Sequence, residues 1–500
     1  MTFETFQLLS PELILLLTGI VVLVVDFVWQ DDAEGGSKKT VWVPALALVG
    51  LGAALVATIL LWGTPSTDVL AMMAVDPFAL FFKILAMSTV MLVTLAAVPY
   101  LQDRTRYRGE FYALLVFAAM AISLASASIN LVSIYLAMEF LSITSYVLAG
   151  YLRGDEKSNE AGIKYFLYGA VTSAIMLYGM SLLYGATGTT DLVGIAQVLM
   201  AGDVTIQWLA VAAIVLLLAG FAFKIVLAPY HQWAPDTYEG APTPVTAFLS
   251  VGSKAAGFAI LMRVFLTALP QFRFGIGWMA FLMALSIISM ALGNLIALRQ
   301  TNVKRMLAYS SIGHAGYIII GVICSITLGV NNWFLGINGT LFYLLAYLFT
   351  NLAVFSAVIA FETATGSSEI ADYRGLIKRA PVVAAIMLIG LLSLAGIPGT
   401  AGFMAKFMVF GAAIQYGEWQ TILLAVVAVI ASAIAAFYYL NVVRYMFFEK
   451  ADEEAEPVTI SAGLNVGLAV TVIGILVIGI YPQPFIEFAT ESIQMLGGIF

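Results

Sequence analysis

The predicted fold class is an all-α polytopic membrane protein, and three observations predict it. Of the 500 residues, 62% are hydrophobic and only 10% are charged, against about 45–50% and about 25% in soluble domains. The mean hydropathy is +1.00. The chain also divides into fourteen apolar runs, most near the ~20 residues that a helix needs to cross a bilayer. The same composition excludes a soluble enzyme or a disordered chain. A net charge of −7 leaves no basic footprint for nucleic acid. A single cysteine, Cys324, excludes a disulfide framework or an iron–sulfur cluster held within this chain. Two histidines, His231 and His314, are a poor supply of ligands for haem or zinc.

In chain order the runs fall near 8–29, 41–62, 76–98, 110–127, 129–151, 161–185, 206–229, 242–268, 275–297, 304–327, 333–361, 380–412, 418–447 and 460–481. The first has no basic segment before it, carries Glu12 and Asp26 within or beside it, and has no small-residue cleavage site, so a retained helix is expected. The fourth and fifth are joined tightly around Ser128. The twelfth is too long for one simple helix. No soluble domain or low-complexity segment interrupts the series, so a single membrane domain over 1–500 is expected.

Loop charges set the orientation. One side of the alternating loops holds fifteen basic residues: Lys38, Lys39, Arg104, Arg106, Arg108, Arg153, Lys157, Arg299, Lys304, Arg305, Arg374, Lys378, Arg379, Arg444 and Lys450. The other side holds two, Arg263 and Arg273. The positive-inside rule puts the first group in the cytoplasm. Fourteen crossings then place both termini outside. A bacterial inner membrane is the expected location, with an organellar membrane as the alternative.

Five basic residues fall in or near the apolar runs: Lys83, Lys164, Lys224, Lys254 and Lys406. Lys254 lies at the middle of the eighth run and Glu139 at the middle of the fifth. A lysine at a helix centre costs about 2.5–3.5 kcal/mol on insertion scales. One reading is a structural ion pair between helices. The other, favoured because intramembrane charges are functional by default, is a proton relay. Desolvation favours loss of a lysine's proton and a nearby carboxylate favours its retention, so moving that partner switches the lysine. Lys83, Glu12 and Asp26 read as structural or interfacial.

Two segments look like broken helices. Gly220-Phe221-Ala222-Phe223-Lys224 precedes Pro229, Pro235, Pro242 and Pro244. Gly396-Ile397-Pro398-Gly399-Thr400 precedes Gly402-Phe403-Met404-Ala405-Lys406. The shared Gly-Phe-x-x-Lys recurs 182 residues apart, on the seventh and twelfth helices. Those two run in opposite directions, as inverted-topology repeats with interrupted helices at a transport site would. Helix packing alone also accounts for glycines. His231, beside Trp233 at the cytoplasmic end of the seventh helix, reads either as an interfacial side chain next to an aromatic-belt residue or as a proton-uptake group. His314, inside the tenth helix among small residues, is the better relay candidate. Lys164, at the start of the sixth helix, either reaches the cytoplasmic surface or joins the relay. No P-loop, dinucleotide fingerprint, His-Glu-x-x-His or Cys-x-x-Cys occurs, so any energy source is expected in other chains.

Three segments carry a family resemblance: HQWAPDTYEGAPTPVTAFLSVGSK (His231 to Lys254), VKRMLAYSSIGHAGY (Val303 to Tyr317) and LAGIPGTAGFMAKF (Leu394 to Phe407). They resemble the antiporter-like membrane subunits of respiratory complex I, the proton-pumping NADH:quinone oxidoreductase, and the likeness runs over essentially the whole chain. The start, Leu9-Ser10-Pro11-Glu12 and an apolar run to Asp26, is most similar to the N (subunit 2) branch. That branch lacks the long lateral helix of L-like members, and Lys406 stands where M-like members carry glutamate. Mrp-type cation/proton antiporter subunits are the nearest rival.

The resemblance implies fourteen helices with two inverted five-helix repeats, helices 4–8 (110–268) and 9–13 (275–447), preceded by three N-terminal helices (1–109) and followed by a last helix (460–481). It implies broken helices 7 and 12. It implies that Glu139 pairs with Lys224, that Lys254 is the central lysine, that Lys406 sits on the broken twelfth helix, that His314 links the two halves, and that Lys164 is a further relay lysine. It implies no cofactor in this chain, with NADH, FMN, iron–sulfur clusters and quinone in partner subunits. The implied neighbours are an M-like antiporter subunit on one side and small K/J/A-like subunits on the other, within a lipid bilayer.

Overall fold

The structure, a computed structural model, describes residues 3–28, 39–201, 204–269, 278–327, 333–450 and 461–493. Lys38 and Arg273, counted above for orientation, lie outside the described residues. Among the described residues thirteen helices are long and apolar enough to cross a membrane. They are α1 (Ser10–Val28), α2 (Lys39–Leu60), α3 (Pro77–Leu101), α4 (Arg108–Ala127), α5 (Leu131–Ala149), α6 (Glu156–Thr187), α7 (Val204–Ile225), α8 (Thr243–Ala268), α9 (Trp278–Ala297), α10 (Val303–Thr327), α11 (Trp333–Thr365), α13 (Trp419–Phe448) and α14 (Ala462–Ile480). The twelfth run is two shorter helices in tandem, α12a (Pro381–Ala395) and α12b (Ala401–Tyr416). The sequence reading of fourteen spans, the twelfth interrupted, therefore holds.

Local chemistry explains the ends. In an apolar medium each backbone group must be paired internally, so the runs become helices and polar residues gather at their ends. Asp76 caps α3, its carboxylate accepting from Ala79 N at 2.7 Å, with Pro77 in the first turn. Asn130 caps α5 by accepting from Val132 N, only three residues after α4 ends at Ala127. Gly188 closes α6 in the left-handed region at φ 69°. One element was not expected: a small antiparallel hairpin pairs Thr67–Val69 with Met73–Val75 before α3.

The helices form shells. α8 is buried along its whole length, and α10, α11 and α3 nearly so, whereas α1, α2, α6 and α14 turn most of their surface outward. Close packing of the inner helices depends on small residues, as is usual where lipid removes the hydrophobic drive to associate. A Cβ on Gly293 of α9 would lie 2.6 Å from the backbone nitrogen of Gly313 on α10.

Several charges read from sequence as loop residues are buried fasteners. Arg263 was counted on the outer side, but it lies inside α8 at 2% exposure, its guanidinium on both oxygens of Asp76 at 2.5 and 3.0 Å and on Ser126 O at 2.8 Å. Lys304, counted among cytoplasmic loop residues, is buried in the first turn of α10 and donates to Ala241 O and Thr243 Oγ1. Glu362, which sequence reasoning did not single out, is buried near the end of α11; it accepts from Tyr100 Oη at 3.1 Å, Arg104 Nη1 at 3.3 Å and Thr243 Oγ1, with the Lys304 ammonium 3.9 Å away. Arg and Lys are attached to loops in sequence, yet each can turn inward when a carboxylate waits there. Lys83 and Glu12 form a buried pair at 2.6 Å, and Ser123 Oγ donates to the same carboxylate, which agrees with their structural reading.

Removing one member of a buried pair leaves the other charge dry. Arg263→Ala should therefore destabilise the purified protein by about 3–5 kcal/mol, seen as a lowered thermal midpoint in detergent. A second change, Asp76→Asn in the Arg263→Ala background, should recover part of the loss.

Candidate functional site

Three lysines and a histidine lie buried in the bundle interior, on α7, α8, α12b and α10. Lys224, near the end of α7, donates from Nζ to Ser142 Oγ of α5 at 3.0 Å. Glu139 lies one turn earlier on α5, half-buried, and accepts from Ser173 Oγ of α6. The direct Glu139–Lys224 pair implied by the family resemblance is not formed in this arrangement. Each partner rests on a serine, and both line one small cavity between α5, α6 and α7. The physical reason is local: α5 presents Ser142 three residues after Glu139, so the ammonium finds a hydroxyl on the same face of the helix.

Lys254 has 0% exposure. Its ammonium donates to the backbone carbonyl of Ser311 on α10 at 2.7 Å and to that residue's hydroxyl. It also lies 5.2 Å over the ring of Tyr347. The segment immediately before it, Leu249–Ser253, is π-helical, a wide turn often found at functional sites.

His314 stands about three turns into α10, one turn beyond Ser310. Its Nδ1 is 2.7 Å from Tyr343 Oη and its Nε2 is 3.2 Å from Tyr439 Oη, while Tyr439 Oη also pairs with Ser310 Oγ. Tyr317, a further turn along α10, is hydrogen-bonded by Asn294, which in turn accepts from Tyr438. The Tyr317 ring carries the Lys406 ammonium 5.2 Å above it. Lys254, Ser311, the tyrosines around His314, and Lys406 thus form one succession of polar and aromatic contacts.

Lys406 shows why α12 is broken. Gly396 and Gly399 take φ of +90° and +86°, values that favour glycine, and α12a stops there. The carbonyls freed by the stop need partners. Lys406 supplies them, donating to Leu394 O at 2.8 Å, Ala395 O at 3.0 Å and Ser432 Oγ at 2.7 Å. A Cβ on Gly396 would come within 3.0 Å of the lysine's Cδ, so the glycine also makes room for it.

The two Gly-Phe-x-x-Lys segments are placed differently. α7 continues through Gly220 and ends only at Ile225, with Val226 at φ 65°, so Lys224 precedes its break. Lys406 follows its break, in α12b. The sequence match brings both lysines to interrupted helices without making their positions equivalent.

Lys164 and His231 stand apart from the interior line. Lys164 on α6 pairs with Asp236 at 2.7 Å and Glu160 at 2.5 Å at the basic end of the bundle. Arg305 joins Asp236 at 2.7 Å and Glu239 at 3.1 Å, and Lys157 joins Glu239 at 3.3 Å. These charges surround a polar recess of about 200 Å³. Burial raises the Asp236 carboxyl, but Lys164 and Arg305 more than offset this and hold it below the usual carboxylate range. His231 lies in the link after α7, half-buried, its Nδ1 without a hydrogen bond. Burial pushes the imidazole down from its ordinary value, against a weaker opposite effect from the Pro229 backbone. Trp233 is not an interfacial belt residue. It is 2% exposed, stacks on Tyr165 at 4.1 Å and donates from Nε1 to Phe223 O.

The titrating and charged residues of the line were legible in sequence. Its hydroxyl partners, Ser142, Ser173, Ser311, Ser432 and Tyr439, were not. The one available signal was spacing: Ser310 lies four residues before His314 and shares its helix face.

Comparison with known proteins bears on this geometry. A family model described as "NADH:quinone oxidoreductase/Mrp antiporter, TM" matches residues 128–433. "NADH-quinone oxidoreductase subunit N" of Moorella thermoacetica is 44% identical, over 84% of this chain and 85% of that protein. "NAD(P)H-quinone oxidoreductase subunit 2" of Thermosynechococcus vestitus is 41% identical, over 97% of this chain and 92% of that one. A chain of respiratory complex I from Thermus thermophilus with bound aureothin superposes with a TM-score of 0.78 at 32% identity, covering 95% of this chain and 98% of that one.

A depressed carboxyl stabilises the fold at every pH above its unfolded value and ceases to do so as pH falls through its folded value. Hydrogen exchange over Trp233–Gly240, the short helix carrying Asp236, should therefore be unchanged from neutral pH down to the ordinary carboxylate range. Protection should drop only below it. The Asp236→Asn variant should show the low-pH exchange rate already at pH 7.

Proposed function

The chain belongs to the NADH:quinone oxidoreductase/Mrp antiporter membrane family, and from that membership we propose that it is the N-type proton-translocating subunit of an NADH:quinone oxidoreductase. The observation that carries the proposal is the buried line itself: Lys224, Lys254, His314 and Lys406, each hydrogen-bonded inside an otherwise apolar bundle. Ion pairing would suffice to hold helices together. A lysine left on serine hydroxyls and carbonyls instead keeps exchangeable protons at membrane depth with no anion to pin them.

Electron transfer in partner subunits supplies the energy. Those partners, not this chain, would carry FMN, iron–sulfur clusters and the NADH and quinone sites, and they reach this subunit through conformational and electrostatic change. An M-like antiporter subunit on one flank and small K/J/A-like subunits on the other are the expected neighbours. Protons enter from the basic end of the bundle, where the Lys164–Asp236–Arg305 cluster and His231 face the cytoplasm. Approach of Glu139 to Lys224 strengthens that lysine's hold on its proton, and separation weakens it and drives the proton toward Lys254. His314 and its tyrosines pass it to Lys406, which releases it outside. Both termini then lie on the outer side of a bacterial inner membrane. The serine-separated arrangement of Glu139 and Lys224 corresponds to the releasing half of this cycle.

Lys224→Ala and Lys406→Ala should each lower the number of protons moved per electron in vesicles containing the assembled complex, with assembly intact. An unchanged ratio would refute the relay. Glu139→Gln should lower pumping as well, whereas a purely structural subunit would show altered assembly and unaltered pumping. An Mrp-type antiporter without redox partners is set apart by purification of the native complex: flavin and iron–sulfur proteins should accompany the chain.

A further inference from the structure

Within the interior line, hydrogen bonds and ring contacts together lead from Lys254 to Lys406; between the partners of Lys224 and those of Lys254, no hydrogen bond among the described residues makes the join. Tyr165 of α6 occupies that gap. Its side chain has 0% exposure and its hydroxyl makes no hydrogen bond. A buried donor without a partner is unfavourable, and in a native structure it calls for a reason.

The ring cannot swing away to find one. It stacks on Trp233 at 4.1 Å, meets Tyr146 edge-on at 4.8 Å and lies against Phe223 at 5.7 Å. The hydroxyls of Ser253 and Ser145 lie near enough to act on it, with a hydrogen bond to neither. Ser145 is one turn along α5 from Ser142, which receives the Lys224 ammonium. Ser253 immediately precedes Lys254 on α8. Lys224 itself packs against this face of α8, its Cβ lying 3.2 Å from where a Cβ on Gly257 would stand. A second neighbour, Tyr238, reaches 3.4 Å toward Ser311, the residue that holds Lys254.

We infer that the Tyr165 hydroxyl is the connector that passes protons between the Lys224 and Lys254 parts of the line; the inference rests on the relay reading above. In the step, Ser145 takes a proton from the Lys224 side as it gives its own to the Tyr165 oxygen, and the existing Tyr165 O–H bond breaks toward Ser253, which releases its own proton toward Lys254. One proton arrives and one leaves, so the ring ends neutral and no oxidant or reductant takes part. Rotation of the O–H about the C–O bond then restores the start. A tyrosine suits the task because its oxygen is held by a clamped ring while its hydrogen is free to turn. The unpaired hydroxyl is the open position of the connector, which keeps the two parts separate until a neighbour moves.

The test uses the assembled native complex in vesicles, with protons moved per electron as the readout. Tyr165→Phe removes only the hydroxyl and keeps the stack on Trp233; it should lower the ratio by as much as Lys254→Ala does. Ser253→Ala should do the same and Ser253→Thr, which restores the hydroxyl, should pump as the unmodified complex does. Combining Tyr165→Phe with Ser253→Ala should cost no more than either alone. A normal ratio in Tyr165→Phe beside a lowered one in Lys254→Ala overturns the connector and leaves the relay standing. A normal ratio in Lys254→Ala overturns both. If Tyr165→Phe does not assemble, the Ser253 pair decides: equal ratios for Ala and Thr overturn the connector.

Discussion

An ammonium group in a dry helix bundle must be given oxygen atoms, and much of this structure follows from that requirement. Three buried lysines are satisfied in three ways: by a serine on a neighbouring helix at Lys224, by a backbone carbonyl and hydroxyl at Lys254, and by the carbonyls of a broken helix at Lys406. Two of these solutions have a structural cost elsewhere. α12 forgoes continuous hydrogen bonding so that its free carbonyls can face Lys406, and glycine accepts the left-handed backbone that the interruption requires. α8 widens into a π-helical turn just before Lys254. The irregularities of the backbone coincide with the charges, as expected where non-helical backbone is tolerated only inside protein.

The central helix is fastened at both ends by ionic groups of the other kind, those that do form pairs. Arg263 ties one end of α8 to Asp76 and to the end of α4. Thr243, at the other end, joins the cluster of Glu362, Lys304, Arg104 and Tyr100. Paired charges at the ends therefore position unpaired charges at the middle. A buried pair is weak evidence for net stability, but breaking one is costly, so α8 is well fixed in depth and rotation while Lys254 retains a choice of acceptors. The same division separates the two histidines: His314 is enclosed by hydroxyls, and His231 lies in a link near the polar surface.

The candidate site was legible in sequence to the extent that its members were conspicuous. In a chain with only 10% charged residues, Glu139, Lys224, Lys254 and Lys406 stand out inside apolar runs. Serine and tyrosine do not, because they are common in membrane helices whether or not they meet a charge. Glu362 escaped because it falls just past the end of the apolar run read at 333–361, where a carboxylate is ordinary. The direction of a side chain was equally hidden. Arg263 and Lys304 read as loop charges because one-dimensional position gives depth only to within a turn or two, and long side chains reach further than that.

The sequence by itself determined the helical class, the count of spans, the interruption of the twelfth and the identity of the charged residues, because hydropathy over ~20 residues and the punctuation of glycine and proline are local properties. Only the tertiary structure decided which charges pair and which do not. Glu139 and Lys224 meet serines rather than each other, Trp233 turns from the interface to a stack on Tyr165, and Lys164 joins a surface cluster. Those outcomes depend on the rotation of each helix about its axis and on its neighbours, which are contacts between residues far apart in the chain.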